Sequence, residues 1–131
     1  MKRFVRTIAV ALCIAAGAQQ ADASGFVNTG DTWERLSPED QAFYIEGVND
    51  TANLIFVNDD LPTAIVKVAR TRCLIEHKTT AANLATEITN VYVNNKAMSK
   101  QPPFAIYIYV MNATCKDIIN QERGRMGLPP V

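Results

Sequence analysis

The sequence predicts an all-α protein, a small helical bundle of about four helices stapled by one disulfide. Three observations predict it. Ser37-Pro38-Glu39-Asp40 is a strong helix start; Leu84, Ile88, Val91 and Tyr92 recur at helical spacing; and beyond the first two dozen residues only two cysteines remain, Cys73 and Cys115.

Residues 1–23 read as a cleaved signal peptide. Lys2, Arg3 and Arg6 form a basic start, Ile8 to Ala18 is an apolar run, and Ala21-Asp22-Ala23 is a small-x-small cleavage signature. The run has 11 residues, against the roughly 20 a membrane-spanning helix needs. A lipid anchor on Cys13 is disfavoured, because bulky Leu12 precedes it and the apolar run continues past it. Cleavage is expected before Ser24 or Gly25. No second long apolar stretch follows, so the expectation is a periplasmic protein with no stable membrane insertion.

The whole chain carries 13 basic and 13 acidic side chains. Removing 1–23 takes away Lys2, Arg3, Arg6 and Asp22, leaving 10 basic against 12 acidic and a net charge of about −2. With no basic block or Arg-rich helix, there is no footprint for nucleic acid or an anionic membrane. The remaining 24–131 suit a single domain with one core. Its two cysteines, in an oxidising compartment, read first as a Cys73–Cys115 disulfide. Closing that loop of about 43 residues stabilises a fold by roughly 4 kcal/mol in the chain-entropy model. That is a large share of the ~5–15 kcal/mol by which native proteins are stable.

The first helix starts at Ser37, with proline at the first helical position and two acids facing the positive end of the dipole. Tyr44, Val48, Ala52 and Ile55 then recur at helical spacing, which predicts a helix to about Val57, broken by Asn58-Asp59-Asp60-Leu61-Pro62. Gly47 inside it costs about 1 kcal/mol relative to alanine, which points to a close helix–helix contact. Residues 63–72, TAIVKVARTR, suit a strand or a short buried helix equally.

The next helix is capped by Thr79 or Thr80, carries Leu84, Ile88, Val91, Tyr92 and Asn95 on one face, and ends near Asn94-Asn95. Pro102-Pro103 forbid its continuation. The stretch FAIYIYV, 104–110, alternates like a strand for seven residues. A helical stripe of Phe104, Ile108, Met111, Cys115 and Ile118 runs over more turns, so a single helix capped by Gly124 is preferred.

Cys73, Glu76 and His77, with the chain's only histidine, resemble a metal or nucleophile site. Zinc needs three or four ligands, and no second ligand pair accompanies them. A thiol nucleophile would have to escape pairing with Cys115, and no oxyanion-hole motif supports it. A disulfide beside a solvated histidine is the simpler reading. Glu39 and Asp40 are explained by helix capping, while Asp59 and Asp60 lack the glycine and ligand spacing of a calcium loop. Tyr44, Tyr92, Tyr107 and Tyr109 fit core positions with a wet hydroxyl better than a binding patch. No phosphate loop, G-x-S-x-G or H-E-x-x-H occurs. The expectation is therefore a non-enzyme with no catalytic residue, metal or cofactor.

FYIEGVND (43–50), CLIEHKTTAANLATEITNVYVNN (73–95) and PPFAIYIYVMNATC (102–115) together resemble the Rap/Tai family. These are small exported helical proteins, some of them immunity proteins against type VI secretion effectors, notably peptidoglycan amidases. Tyr44, Ile45, Gly47, Val48 and Asp50 match the family's Y-[IV]-x-G-[VF]-x-D, and Cys73, Thr79, Leu84, Val91, Tyr92 and Cys115 match the rest. The resemblance spans about residues 33–115. The chain departs from it at Gln41, near a position where many members carry a cysteine, and between Asp60 and Arg72, which is more β-branched.

The resemblance implies a binding protein that neutralises an effector such as a cell-wall amidase. Such a scaffold presents loops with side-chain hot spots. The candidate partner-binding residues are Asn58, Asp59 and Asp60 in one loop and Lys96, Met98 and Lys100 in another. Met98 is the apolar anchor between two lysines. A non-enzymatic periplasmic accessory protein or acid-stress chaperone is the alternative, although the acids look like caps and turns. A domain of ~108 residues has a limited core, which is compatible with a homodimer under either reading.

Overall fold

Thr29 opens a helix that the sequence does not announce. Its hydroxyl accepts from Thr32 N–H while Thr32 Oγ1 accepts from Thr29 N–H, a reciprocal box that starts α1, Gly30–Glu34. The computed structural model describes residues 26–131, so the expected signal peptide, 1–23, lies outside the described residues. Helix α1 serves to place Trp33. This side chain is fully buried, its Nε1–H donates to Thr89 Oγ1 at 2.9 Å, and its ring meets Tyr44 edge-on at 5.9 Å.

Helix α2, Pro38–Asn53, starts as expected: Ser37 Oγ accepts from Asp40 N–H at 3.1 Å. It buries Ile45 and packs Tyr44, Val48 and Ala52 against the core. It ends at Asn53, not near Val57, with Leu54 already extended. The helical stripe behind the longer expectation would have buried Ile55; the chain instead turns outward there and leaves it exposed.

Leu61-Pro62, expected as part of a helix breaker, begin α3, Leu61–Glu76. Asp60 caps it, accepting from Thr63 N–H at 2.8 Å, and proline in the first turn costs no hydrogen bond there. The undecided segment 63–72 is therefore helical. It buries Ile65, Ala69, Arg70 and, one turn on, Cys73. Thr80, not Thr79, caps α4, Ala81–Asn94, through a second reciprocal box with Asn83. Leu84, Ala85, Ile88 and Tyr92 are buried along it, while Asn95 is exposed. A 3-10 turn, Lys96–Lys100, follows.

The last helix is two. Helix α5, Pro103–Thr114, and α6, Lys116–Arg125, meet at Cys115, whose φ of −99° and ψ of 9° interrupt the helix. The buried stripe matches the expected one only at Met111 and Cys115. Ile106, Tyr107, Val110, Met111, Cys115 and Ile119 are inside, whereas Phe104 is exposed and Ile108 and Ile118 are half-buried. Gly124 is not the cap. Gly127, at φ +70°, is, with Leu128 N–H bonded to Arg123 O and Gly127 N–H to Gly124 O, a Schellman closure.

The described residues thus form six α-helices and no strand, more helices than the expected four. Helix α4 packs against α2 and α5, and α3 against α6, around one core that contains Trp33, Ile45, Ile88, Tyr107 and Met111. The Cys73–Cys115 disulfide ties the last turn of α3 to the α5–α6 corner, with Cα atoms 5.7 Å apart and both cysteines fully buried.

The close approach expected at Gly47 occurs elsewhere. A Cβ on Gly47 would meet nothing within 4 Å, whereas one on Gly30 would lie 2.9 Å from Tyr92 Cδ1 and 3.2 Å from Ser99 O. Burial pushes the Tyr92 hydroxyl pKa up, and that hydroxyl donates to Gln101 O at 2.8 Å. Tyr107 is likewise inside, donating to Asn49 Oδ1 at 2.8 Å and accepting from Asn53. Tyr109 faces outward.

Candidate functional site

Between α2 and α3 the chain exposes four apolar residues in succession, Leu54, Ile55, Phe56 and Val57. Phe56 is 51% accessible and Val57 fully so. An apolar loop of this kind would ordinarily collapse onto the core; here a polar brace holds it out. Phe56 N–H donates to Asp59 Oδ2 at 2.8 Å and Asp59 N–H returns to Phe56 O at 3.0 Å, closing a turn with Val57 and Asn58 at its tip.

Lys67, on α3, completes the brace. Its ammonium donates to Leu54 O at 2.9 Å and to Asp59 Oδ2 at 2.7 Å, and lies 4.7 Å from the centre of the Phe56 ring. The side chains of Lys67 and Asp59 are only 12% and 14% accessible. The Lys67 bond and then the Phe56 N–H hold the Asp59 carboxyl below the usual carboxylate range. Asp60 is lowered too, by hydrogen bonding from Thr63.

Beside the loop, Ile55, Val68 and Ile75 line a recess of about 490 Å³ with Thr71, Arg72 and Glu76. Ile75 is 72% accessible. The rim is polar: Arg72 pairs with Glu76 at 2.6 Å and with Glu122, which also holds Arg125. Apolar residues on a braced loop, next to an apolar recess with a charged rim, have the anatomy of a protein-docking surface. Pre-ordering the loop removes part of the entropy cost of binding.

The expected partner-binding residues fall in two places. Asn58 is exposed at the loop tip, Asp59 is a brace and Asp60 a helix cap. Lys96 and Lys100 are exposed on the 3-10 turn, while Met98 between them is half-buried and packs on the core rather than projecting as an anchor. That turn touches α1, which also meets the start of α2 through Gln41 Nε2–H bonded to Trp33 O. The two groups therefore lie toward opposite ends of α2, whose 16 residues span roughly 24 Å. They do not form one site.

Leu54, Ile55, Phe56, Val57 and Lys67 are the members that sequence reasoning missed. The signal was present: four consecutive apolar residues cannot share one face of an amphipathic helix. His77 caps the end of α3, exposed, with Nδ1 3.8 Å from Cys73 Sγ. Among the described residues no group of three His, Cys, Asp or Glu side chains is placed to hold a metal, and no helix is long and apolar enough to cross a membrane. No family model, curated protein or solved structure matches the chain.

Proposed function

We propose that this is an exported immunity protein of the Rap/Tai type, which acts in the periplasm by docking on a type VI secretion effector, such as a peptidoglycan amidase, and occluding it. The observation that carries the reading is the Lys67–Asp59 brace, which holds Phe56 and Val57 in water. The motif resemblance in residues 33–115 supplies the class of partner. The protein contributes a rigid surface and no chemistry of its own, so its effect on the hydrolase is stoichiometric.

The test begins with the gene's neighbourhood and a purified candidate cell-wall hydrolase encoded beside it. A pull-down and a peptidoglycan-hydrolysis assay are expected to show binding and inhibition at one-to-one stoichiometry. Phe56→Ala is expected to weaken binding by tenfold or more and Val57→Asp to abolish it, the latter with a melting temperature close to wild type because Val57 is fully exposed. If the pure protein neither binds nor inhibits, and deleting the gene leaves cells resistant, the reading is wrong. Suppression of client aggregation at low pH would replace it with an acid chaperone. Self-association through the same apolar loop is read by light scattering, and Val57→Asp is expected to abolish any homodimer formed there.

A further inference from the structure

Arg70, on α3, is only 7% accessible. Among the described residues its guanidinium makes one hydrogen bond, from Nη2 to Asn112 Oδ1 at 2.7 Å, and its buried Nε–H has no acceptor. No carboxylate pairs with it; the described acids in ion pairs are Asp59, Glu76 and Glu122, bound to Lys67, Arg72 and Arg125. Burial lowers its pKa, and the one compensating influence is the Tyr107 hydroxyl. A guanidinium so placed is expensive unless an anion completes it.

The missing anion has a place to sit. Arg70 lines a cleft of about 510 Å³ between α3, α5 and α6, whose walls include Val66, Tyr109, Ala113 and Ile119. Lys116 stands in the same wall, with no ion-pair or hydrogen-bond partner among the described residues; Asn112 and Val131 also line the cleft, the Val131 carboxylate pairs with neither cation, and no acidic side chain is present. Its volume is that of a small-molecule site. Two cations and mostly apolar walls fit one small acid group on a hydrophobic body. A nucleotide or sugar would leave many polar groups unmatched.

We propose that this cleft binds an organic carboxylate with an apolar tail, the acid group on Arg70 and Lys116 and the tail along Val66, Tyr109 and Ile119. Free fatty acids and the free C-terminus of a hydrophobic peptide share that chemistry. Val66 and Arg70, four apart, occupy one side of α3, and Val68 and Ile75 another. The site is therefore separate from the docking loop and does not depend on the function proposed for it.

Calorimetry on the disulfide-bonded protein at neutral pH, with amide NMR shifts to locate binding, tests the proposal. The probes are decanoate against decanol and acetate, and a short hydrophobic peptide acid against its C-terminal amide. One acid or both is expected to bind at least tenfold tighter than its neutral counterpart, which also identifies the source, with shifts at residues 66–70 and 109–119. Arg70→Gln is expected to reduce affinity tenfold or more. Because that change touches a buried residue, two exposed positions provide controls that keep the fold. Ala113→Phe fills the cleft and is expected to abolish binding, while Lys116→Gln weakens it about threefold. The proposal is overturned if neither acid binds, if the neutral probes bind as well, if Ala113→Phe has no effect, or if the shifts fall on Leu54–Val57.

Discussion

Lys67 Nζ and Asp59 Oδ2 lie 2.7 Å apart, and through that pair α3 holds the segment that leaves α2. Lys67→Met keeps the aliphatic stem and removes the ammonium. Residues 54–58 are then expected to exchange their amide hydrogens faster, on the order of tenfold at Phe56, whose N–H is protected by Asp59. Exchange in α4 stays unchanged. Hydrogen–deuterium exchange with mass spectrometry reads both.

Acid is expected to loosen the same region. The Asp59 and Asp60 carboxyls titrate below their unfolded values. Their stabilisation is therefore complete above the unfolded carboxylate pKa, about 3.9, and is lost as pH falls through the lower folded values. Thermal melts from pH 6 to pH 2 should show a stability decline that is shallower in Asp59→Asn and Asp60→Asn. Asparagine remains a good cap at position 60, so Asp60→Asn should be near wild type at neutral pH.

Two glycines are expected to respond oppositely to alanine. Gly30→Ala pushes a methyl against the buried Tyr92 ring and the Ser99 carbonyl, a steric conflict that costs about 1–3 kcal/mol. Gly47→Ala enters open space within α2 and should stabilise by about 0.5–1 kcal/mol. Urea unfolding curves with equal slopes measure the difference.

Removing the Cys73–Cys115 bond with paired serines should destabilise the domain by about 2–5 kcal/mol. Mass spectrometry without reductant checks the bond in protein isolated from its native host.

The helix starts at Ser37 and Thr80 were legible because capping is local and announces itself within four residues. Asp60-Leu61-Pro62 was read only as a break, although proline stops one helix and starts another equally well; the start of α3 there was missed. The break at Cys115 was not legible, because no glycine or proline marks it and the residues on both sides keep helical periodicity. Within α5 itself, a run apolar on nearly every side fits more than one helical stripe, so the phase that buries Ile106, Tyr107 and Val110 rather than Phe104 was not legible. Gly47 and Gly30 look alike in a sequence; what decides is Tyr92, which crowds Gly30 from 62 residues away. Arg70 sits among apolar residues that mark its segment as buried, and nothing local says that it lacks an acid.

The staple also determines what a cut does to this protein. Lys96 and Lys100, exposed on their short turn, invite a protease between the two half-cystines. Cleavage there leaves both pieces covalently joined, so a nicked chain runs as one band without reductant and as two with it. A cut at the apolar loop before α3 has no such insurance, because the released amino-terminal piece holds on only by packing. Under the export proposed above, a nick in this exposed apolar loop is the one that separates the chain into two uncoupled pieces.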